Sequence, residues 1–115
     1  VSLAGQLDFL ASLIRQLQGA LGGNRIVRGT VSPAGAIVVG EGFTSSKLAT
    51  GTYQVVFDTA FSAPPSVVVS LGMTAGTVGI HIRDAVPITV SLFEVVTYST
   101  GFLDAEFNFI AVGPA

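Results

Sequence analysis

The chain has 115 residues, with five Lys and Arg against seven Asp and Glu, one His and a net charge of −2. The basic residues Arg15, Arg25, Arg28, Lys47 and Arg83 are scattered, which excludes the clustered positive footprint that a nucleic-acid backbone demands. Cysteine is absent, so disulfides and thiolate metal sites are excluded as well.

Charged residues make up 10% of the sequence, against about 25% in an ordinary soluble domain. Mean hydropathy is +0.72, more apolar than one small core needs. The length fits a single domain that buries roughly two thirds of its unfolded surface. Gly, Ser, Thr, Asp and Arg interrupt every apolar stretch before it reaches the roughly 18 residues of a membrane-spanning helix, so no membrane insertion is expected. The apolar surplus is therefore assigned to a subunit interface, and an obligate homo-oligomer is expected. The chain opens at Val1 without a basic region, an apolar core and a cleavage site in succession, the pattern expected of an excised fragment or processed product.

Residues 1–23 read as an oligomerising helix. Leu3, Leu7, Leu10, Ile14, Leu17 and Leu21 are separated by alternating steps of four and three, the a/d repeat of a left-handed coiled coil. Leu7, Ile14 and Leu21 take a, and Leu3, Leu10 and Leu17 take d; this mixed a layer suits a dimer as well as a trimer. Phe9 and Leu13 widen the stripe beyond the seam, which fits either a seam shared by more than two helices or a helix docked on its own domain. With only about three heptads, and with Gly5 and Gly19 each costing of order 1 kcal/mol, the helix is marginal alone in water. Ser2 is the expected N-cap and Gly22-Gly23-Asn24 the expected stop.

Residues 24–115 read as a β-sandwich head. The hydrophobic period changes to two, with β-branched runs punctuated by Gly, Pro, Ser and Asp. Strands are predicted near Ile26–Val31, Ala36–Val39, Gly51–Phe57, Ser66–Leu71, Gly76–Arg83, Ile88–Thr97 and Glu106–Val112. Ser32-Pro33-Ala34-Gly35 is a hairpin turn, and Pro64-Pro65 has to precede a strand because it cannot donate to a ladder. The expected fold is an all-β sandwich or jelly roll of about seven to eight antiparallel strands behind a short coiled-coil α-helix. Tyr53, Val55 and Phe57, then Val67, Val69 and Leu71, then Phe107, Phe109 and Ala111 alternate onto the core side. On the opposite sides Val56, Val68, Val90, Leu92, Val96 and Ile110 call for a second buried face, and together with the helix leucines they form the predicted oligomer interface.

The residues that carry chemistry are few. His81 is the only histidine, which rules out a two-histidine metal site within one subunit unless other residue types stand in. It alternates with Gly79 and Arg83 opposite Val78, Ile80 and Ile82, and Asp84 is near enough to pair with it. A structural role is expected for it, with ligand binding or a metal shared on a threefold axis as the competing readings. Asp104 and Glu106 share a side if both are in strand and would suit a calcium ion or acid–base pair, but a polar strand end explains them equally. His81, Asp104 and Glu106 are thus the candidate ligand-binding residues. No catalytic residue, cofactor or metal site is expected. The glycines lack phosphate-loop spacing, and no nucleophile has a base in reach. Loops at Gly40–Thr50, Gly72–Gly76 and Ser99–Ala105, with Tyr53, Tyr98, Phe43, Phe61 and Phe102 among the aromatics, are the candidate surfaces for a glycan or surface receptor.

Four segments carry a family resemblance: Arg28-Gly29-Thr30-Val31, Gly51-Thr52-Tyr53-Gln54-Val55-Val56-Phe57, Phe61-Ser62-Ala63-Pro64-Pro65-Ser66-Val67, and Asp104 followed by Phe107-Asn108-Phe109-Ile110-Ala111-Val112-Gly113. Across most of Arg25 to Gly113 the chain resembles carboxy-terminal β-domains of phage tail-fibre and bacterial fibre or surface proteins. Such domains are often trimeric sandwiches or jelly rolls at the end of a stalk, loosely similar to tumour necrosis factor-like heads. The resemblance implies a homotrimer on a virion or at the cell surface, with a structural or receptor-binding role, and makes the heptads the last turns of the stalk.

Overall fold

The computed structural model describes residues 3–20, 23–72 and 78–115, with backbone alone for residues 3 and 15–20. Helix α1 spans Leu3–Ala20. Among the described residues eight strands follow: β1 Asn24–Val31, β2 Ile37–Gly40, β3 Phe43–Ala49, β4 Thr52–Phe57, β5 Ser66–Leu71, β6 Gly79–Ile82, β7 Leu92–Tyr98 and β8 Phe107–Pro114. The longest dimension is 69 Å against 26 and 19 Å. At 1.5 Å per residue α1, with 18 residues, is about 27 Å long. The predicted cap Ser2 and stop residue Gly22 lie outside the described residues, as does Leu21.

Two four-stranded antiparallel sheets face each other, one ordered β2-β1-β8-β5 and the other β3-β4-β7-β6. The expected β-sandwich is present. Its core is the sum of the inward alternations: Val27 and Val31 from β1 and Phe107, Phe109 and Ala111 from β8 meet Phe43, Tyr53, Val55, Phe57, Phe93 and Val95 from the other sheet. Phe43 meets Phe109 edge-on at 4.8 Å between ring centres, Phe93 meets Phe109 at 5.2 Å, and Tyr53 meets Phe107 at 5.2 Å. Each such pair adds about 0.5–1.5 kcal/mol beyond the area it buries.

Turn chemistry closes the strands where the residues demand it. The Ser32 carbonyl accepts from Gly35 N–H at 2.9 Å and Ser32 N–H donates to the Ala36 carbonyl at 2.8 Å, which makes the predicted hairpin. Gly51 has φ of 68°, and a Cβ there would lie 2.5 Å from the Thr97 carbonyl oxygen, so only glycine fits the β3–β4 turn. Strand β1 pairs with β8 from Asn24↔Pro114 to Val31↔Phe107, and Ala115 N–H donates to the Gly23 carbonyl at 3.0 Å. The carboxy-terminal residue therefore lies beside the entry to β1.

Three predicted segments differ. Phe43–Ala49, read as part of a loop, is the edge strand β3. Strand β7 begins at Leu92 rather than Ile88, because the Thr89 hydroxyl accepts from Ser91 N–H at 3.2 Å and Leu92 N–H at 3.1 Å and bends the chain first. Strand β6 begins at Gly79, and the part of the prediction over residues 76–77 lies outside the described residues. Replacing Phe109 by Ala is expected to lower the unfolding free energy by about 3–5 kcal/mol. Thr44→Ala, exposed on β3, is expected to change it by less than about 0.5 kcal/mol, both read from urea unfolding midpoints.

Candidate functional site

Strand β1 starts next to the helix at Asn24 and ends at Val31, so the turns after β1, β3 and β7 gather at the end of the sandwich farthest from α1. Tyr53 organises this end. Its ring is fully buried, its hydroxyl donates to the Pro33 carbonyl at 2.7 Å, and it accepts from Ala105 N–H at 3.2 Å. Burial pushes the Tyr53 phenol up from its ordinary pKa, so it stays neutral.

Asp104 ties the segment before β8 to the β3–β4 turn. One carboxylate oxygen accepts from Lys47 Nζ at 2.5 Å and the other from Gly51 N–H at 2.7 Å. The Lys47 hydrogen bond first, and the Gly51 N–H second, hold the Asp104 carboxyl below the ordinary range. Glu106 lies at a different place, against Gly72 at the end of β5. The two carboxylates expected to share a side therefore serve separate elements, since Asp104 precedes β8 and does not follow the strand alternation.

His81 faces outward on β6, opposite Val96, with Ile80 and Ile82 packed against the core as the alternation requires. Its ring packs at 5.3 Å from that of Tyr98. Asp84 forms no ion pair with it among the described residues. Tyr98 in turn covers Gly79, where any Cβ would meet the phenol ring at 2.4 Å. The nearest charged pair on this face is Arg83 with Glu94, 2.6 Å apart. Among the described residues no three of His, Cys, Asp and Glu are grouped to hold a metal ion. At the helix end, Arg25 lies 4.1 Å over the Phe61 ring and donates to the Thr59 carbonyl.

The apolar surface is the more informative feature. On α1 the residues predicted for the seam, Leu7, Leu10 and Ile14, are 57, 52 and 49% exposed, so nothing in the described chain covers them. Leu3 and Leu17 are described by backbone only. The strand residues predicted for the interface divide between two surfaces. Val68 and Ile110 lie side by side on the outer face of the β2-β1-β8-β5 sheet. Val56, Leu92 and Val96 lie on the outer face of the other sheet, and Val90 falls in the turn before β7. Val96 is only 5% exposed within one chain and has little area left to bury against another. Sequence alternation also passed over Ile26, Val38 and Val39, which are exposed on the first sheet. At the far end Leu48, Phe102, Leu103 and Tyr98 are exposed, with Phe102 bridged to Tyr98. Of the predicted recognition loops, Gly40–Thr50 is largely strand, and 73–76 lies outside the described residues.

The accessible area of 6883 Å² exceeds by about 1,000 Å² the roughly 5,900 Å² of a compact monomer of this mass. Among the described residues no helix is long and apolar enough to cross a membrane. No family model matches the chain, and no curated protein and no solved structure is significantly similar to it.

The Asp104 clasp makes stability depend on pH with a definite sign. A carboxyl whose pKa is lowered by folding stabilises the folded state above its unfolded value, about 3.9, and loses that contribution as pH falls through the folded value. The thermal midpoint of the wild type is therefore expected to exceed that of Asp104→Asn at neutral pH, with the gap closing in a titration below about pH 4.

Proposed function

We propose that the chain is a non-enzymatic homotrimerisation module of a fibre, virion or surface assembly, in which α1 is the end of a coiled-coil stalk and the sandwich is its head. The observation that carries this reading is the uncovered seam of Leu7, Leu10 and Ile14 on an 18-residue helix. A helix of this length is marginal on its own in water, and its own domain does not shield it, so partner helices supply the missing contacts. Phe9 and Leu13, also exposed, widen the stripe to suit more than two helices. The area surplus of about 1,000 Å² is of the size that a subunit buries in a stable interface, about 800 Å² per partner. The jelly-roll form of the head belongs to the same reading, supported by connections β2–β3, β4–β5, β5–β6 and β7–β8 that cross between sheets.

A second reading shares this architecture. The exposed Phe102, Leu103, Leu48 and Tyr98 crown the end away from the helix, where a trimer would present three copies to a glycan or surface receptor and gain avidity. A glycan-array signal abolished by Phe102→Ala with Tyr98→Ala would favour it, and an array without signal would leave the structural role alone.

Light scattering tests the main reading. The intact chain is expected at about 35 kDa, three times 11.7 kDa. Leu10→Asp with Ile14→Asp is expected to raise the trimer dissociation constant more than about tenfold. An intact chain at the monomer mass would overturn the proposal.

A further inference from the structure

At the end of the sandwich away from α1, the pair Gly79↔Tyr98 opens the ladder between β7 and β6, the edge strand of its sheet. Glycine faces tyrosine here for a steric reason. A Cβ at Gly79 would lie 2.4 Å from Cζ and 2.6 Å from both Cε2 and the hydroxyl of Tyr98, so the phenolic end of the ring rests on bare backbone. His81, two residues along β6, packs its ring 5.3 Å from the same phenol. An aromatic ring laid over an edge glycine shields the ladder, which accounts for the contact. It does not account for the rest of the side chain: Tyr98 is held by two neighbours and is still 38% exposed.

Beside the ring lies an open depression of about 470 Å³, lined by Val78, Gly79, Tyr98, Ser99 and Thr100. Small-molecule sites span about 300–1,000 Å³. The lining brings together one aromatic ring, one aliphatic side chain and three hydroxyls, and it holds no charged group. None of the three hydroxyls makes a hydrogen bond among the described residues. We infer that this depression binds a neutral pyranose sugar, with the C–H face of the sugar against Tyr98 and the sugar hydroxyls on those of Ser99 and Thr100. The inference rests on the recognition reading above and moves its centre from Phe102 and Leu103 to the β6–β7 margin. The chemistry of the lining selects the ligand. A wholly apolar molecule would bury the hydroxyls without partners, and an ion would find no opposite charge. A pyranose offers an apolar face and a rim of hydroxyls at once, which matches both halves of the lining. Because Gly79 and His81 already fix the phenol, little side-chain freedom remains to be lost on binding. The site is complete within one subunit.

The experiment screens the full chain on an array of neutral and sialylated glycans, then titrates it by amide NMR with the methyl glycoside of the best-bound terminal sugar. Neutral glycans are expected to give the signal, and the amides of Val78, Gly79, Tyr98, Ser99 and Thr100 to shift. Tyr98→Ala is expected to raise the dissociation constant about tenfold, while Tyr98→Phe, which keeps the ring, stays within about threefold. Gly79→Ala keeps the phenol but displaces it, and is expected to weaken binding as much as Tyr98→Ala. Ser99→Ala with Thr100→Ala, at two exposed turn positions that leave the fold intact, is expected to cost about tenfold. Phe102→Ala is expected to stay within about twofold. The amide spectrum of each variant reports its folding directly. A glycan signal lost in Phe102→Ala and kept in Tyr98→Ala would overturn this site while leaving the recognition reading standing. Binding confined to sialylated glycans would overturn the neutral ligand. An array blank for the wild type would remove glycan recognition itself, and this site with it.

Discussion

The packing of aromatic rings between the two sheets is what the rest of the molecule depends on. Phe109 touches both Phe43 and Phe93, and Phe57 touches Phe93 and Phe61, so five rings form one chain between the sheets, while Tyr53 and Phe107 form a separate pair. With no disulfide available and few charged residues, the contact between sheets has to come from apolar area and ring geometry. The polar atoms follow from it. Once Tyr53 is buried its hydroxyl needs partners, and Pro33 and Ala105 supply them from two separate turns. That requirement positions the segment containing Asp104, which then reaches Lys47 and Gly51.

This order of dependence explains which features were legible in the sequence. Strands β4 and β8 were readable because large apolar residues alternate strictly along them, and both termini of β5 are marked by the preceding prolines and by the change of pattern after Leu71. Strand β3 was not readable. Its sequence after Phe43 is Thr-Ser-Ser-Lys, because an edge strand near the open end of the sandwich packs a single ring and leaves the next four positions to polar residues. The start of β7 was obscured by the apolar run from Val86 to Val90, whose β-branched residues look like strand although Thr89 bends the backbone.

The site was legible in part, for a related reason. Alternation identifies which residues face away from the core but not which sheet they belong to. Val68 and Val56 look equivalent in sequence, yet they end up on opposite outer faces, because sheet membership is set by pairings such as Val68↔Ile110 and Val56↔Leu92. Pairings of that range cannot be read from local pattern. Asp104 is a similar case: its partner Lys47 is 57 residues away, and the sequence displays only a carboxylate near a turn. The helix is the exception, since its apolar spacing is local and Leu7, Leu10 and Ile14, exposed on α1, could be placed on one helix face from that spacing alone.

The adjacency of Gly23 and Ala115 gives the sandwich a pole. Chain enters and leaves the sandwich at one end, through neighbouring backbone groups joined by a hydrogen bond, and the opposite end is made of turns alone. The β-domain is in that sense a cassette: a protein or label attached after Ala115 would emerge beside the helix, leaving the crown of Phe102 and Leu103 unobstructed.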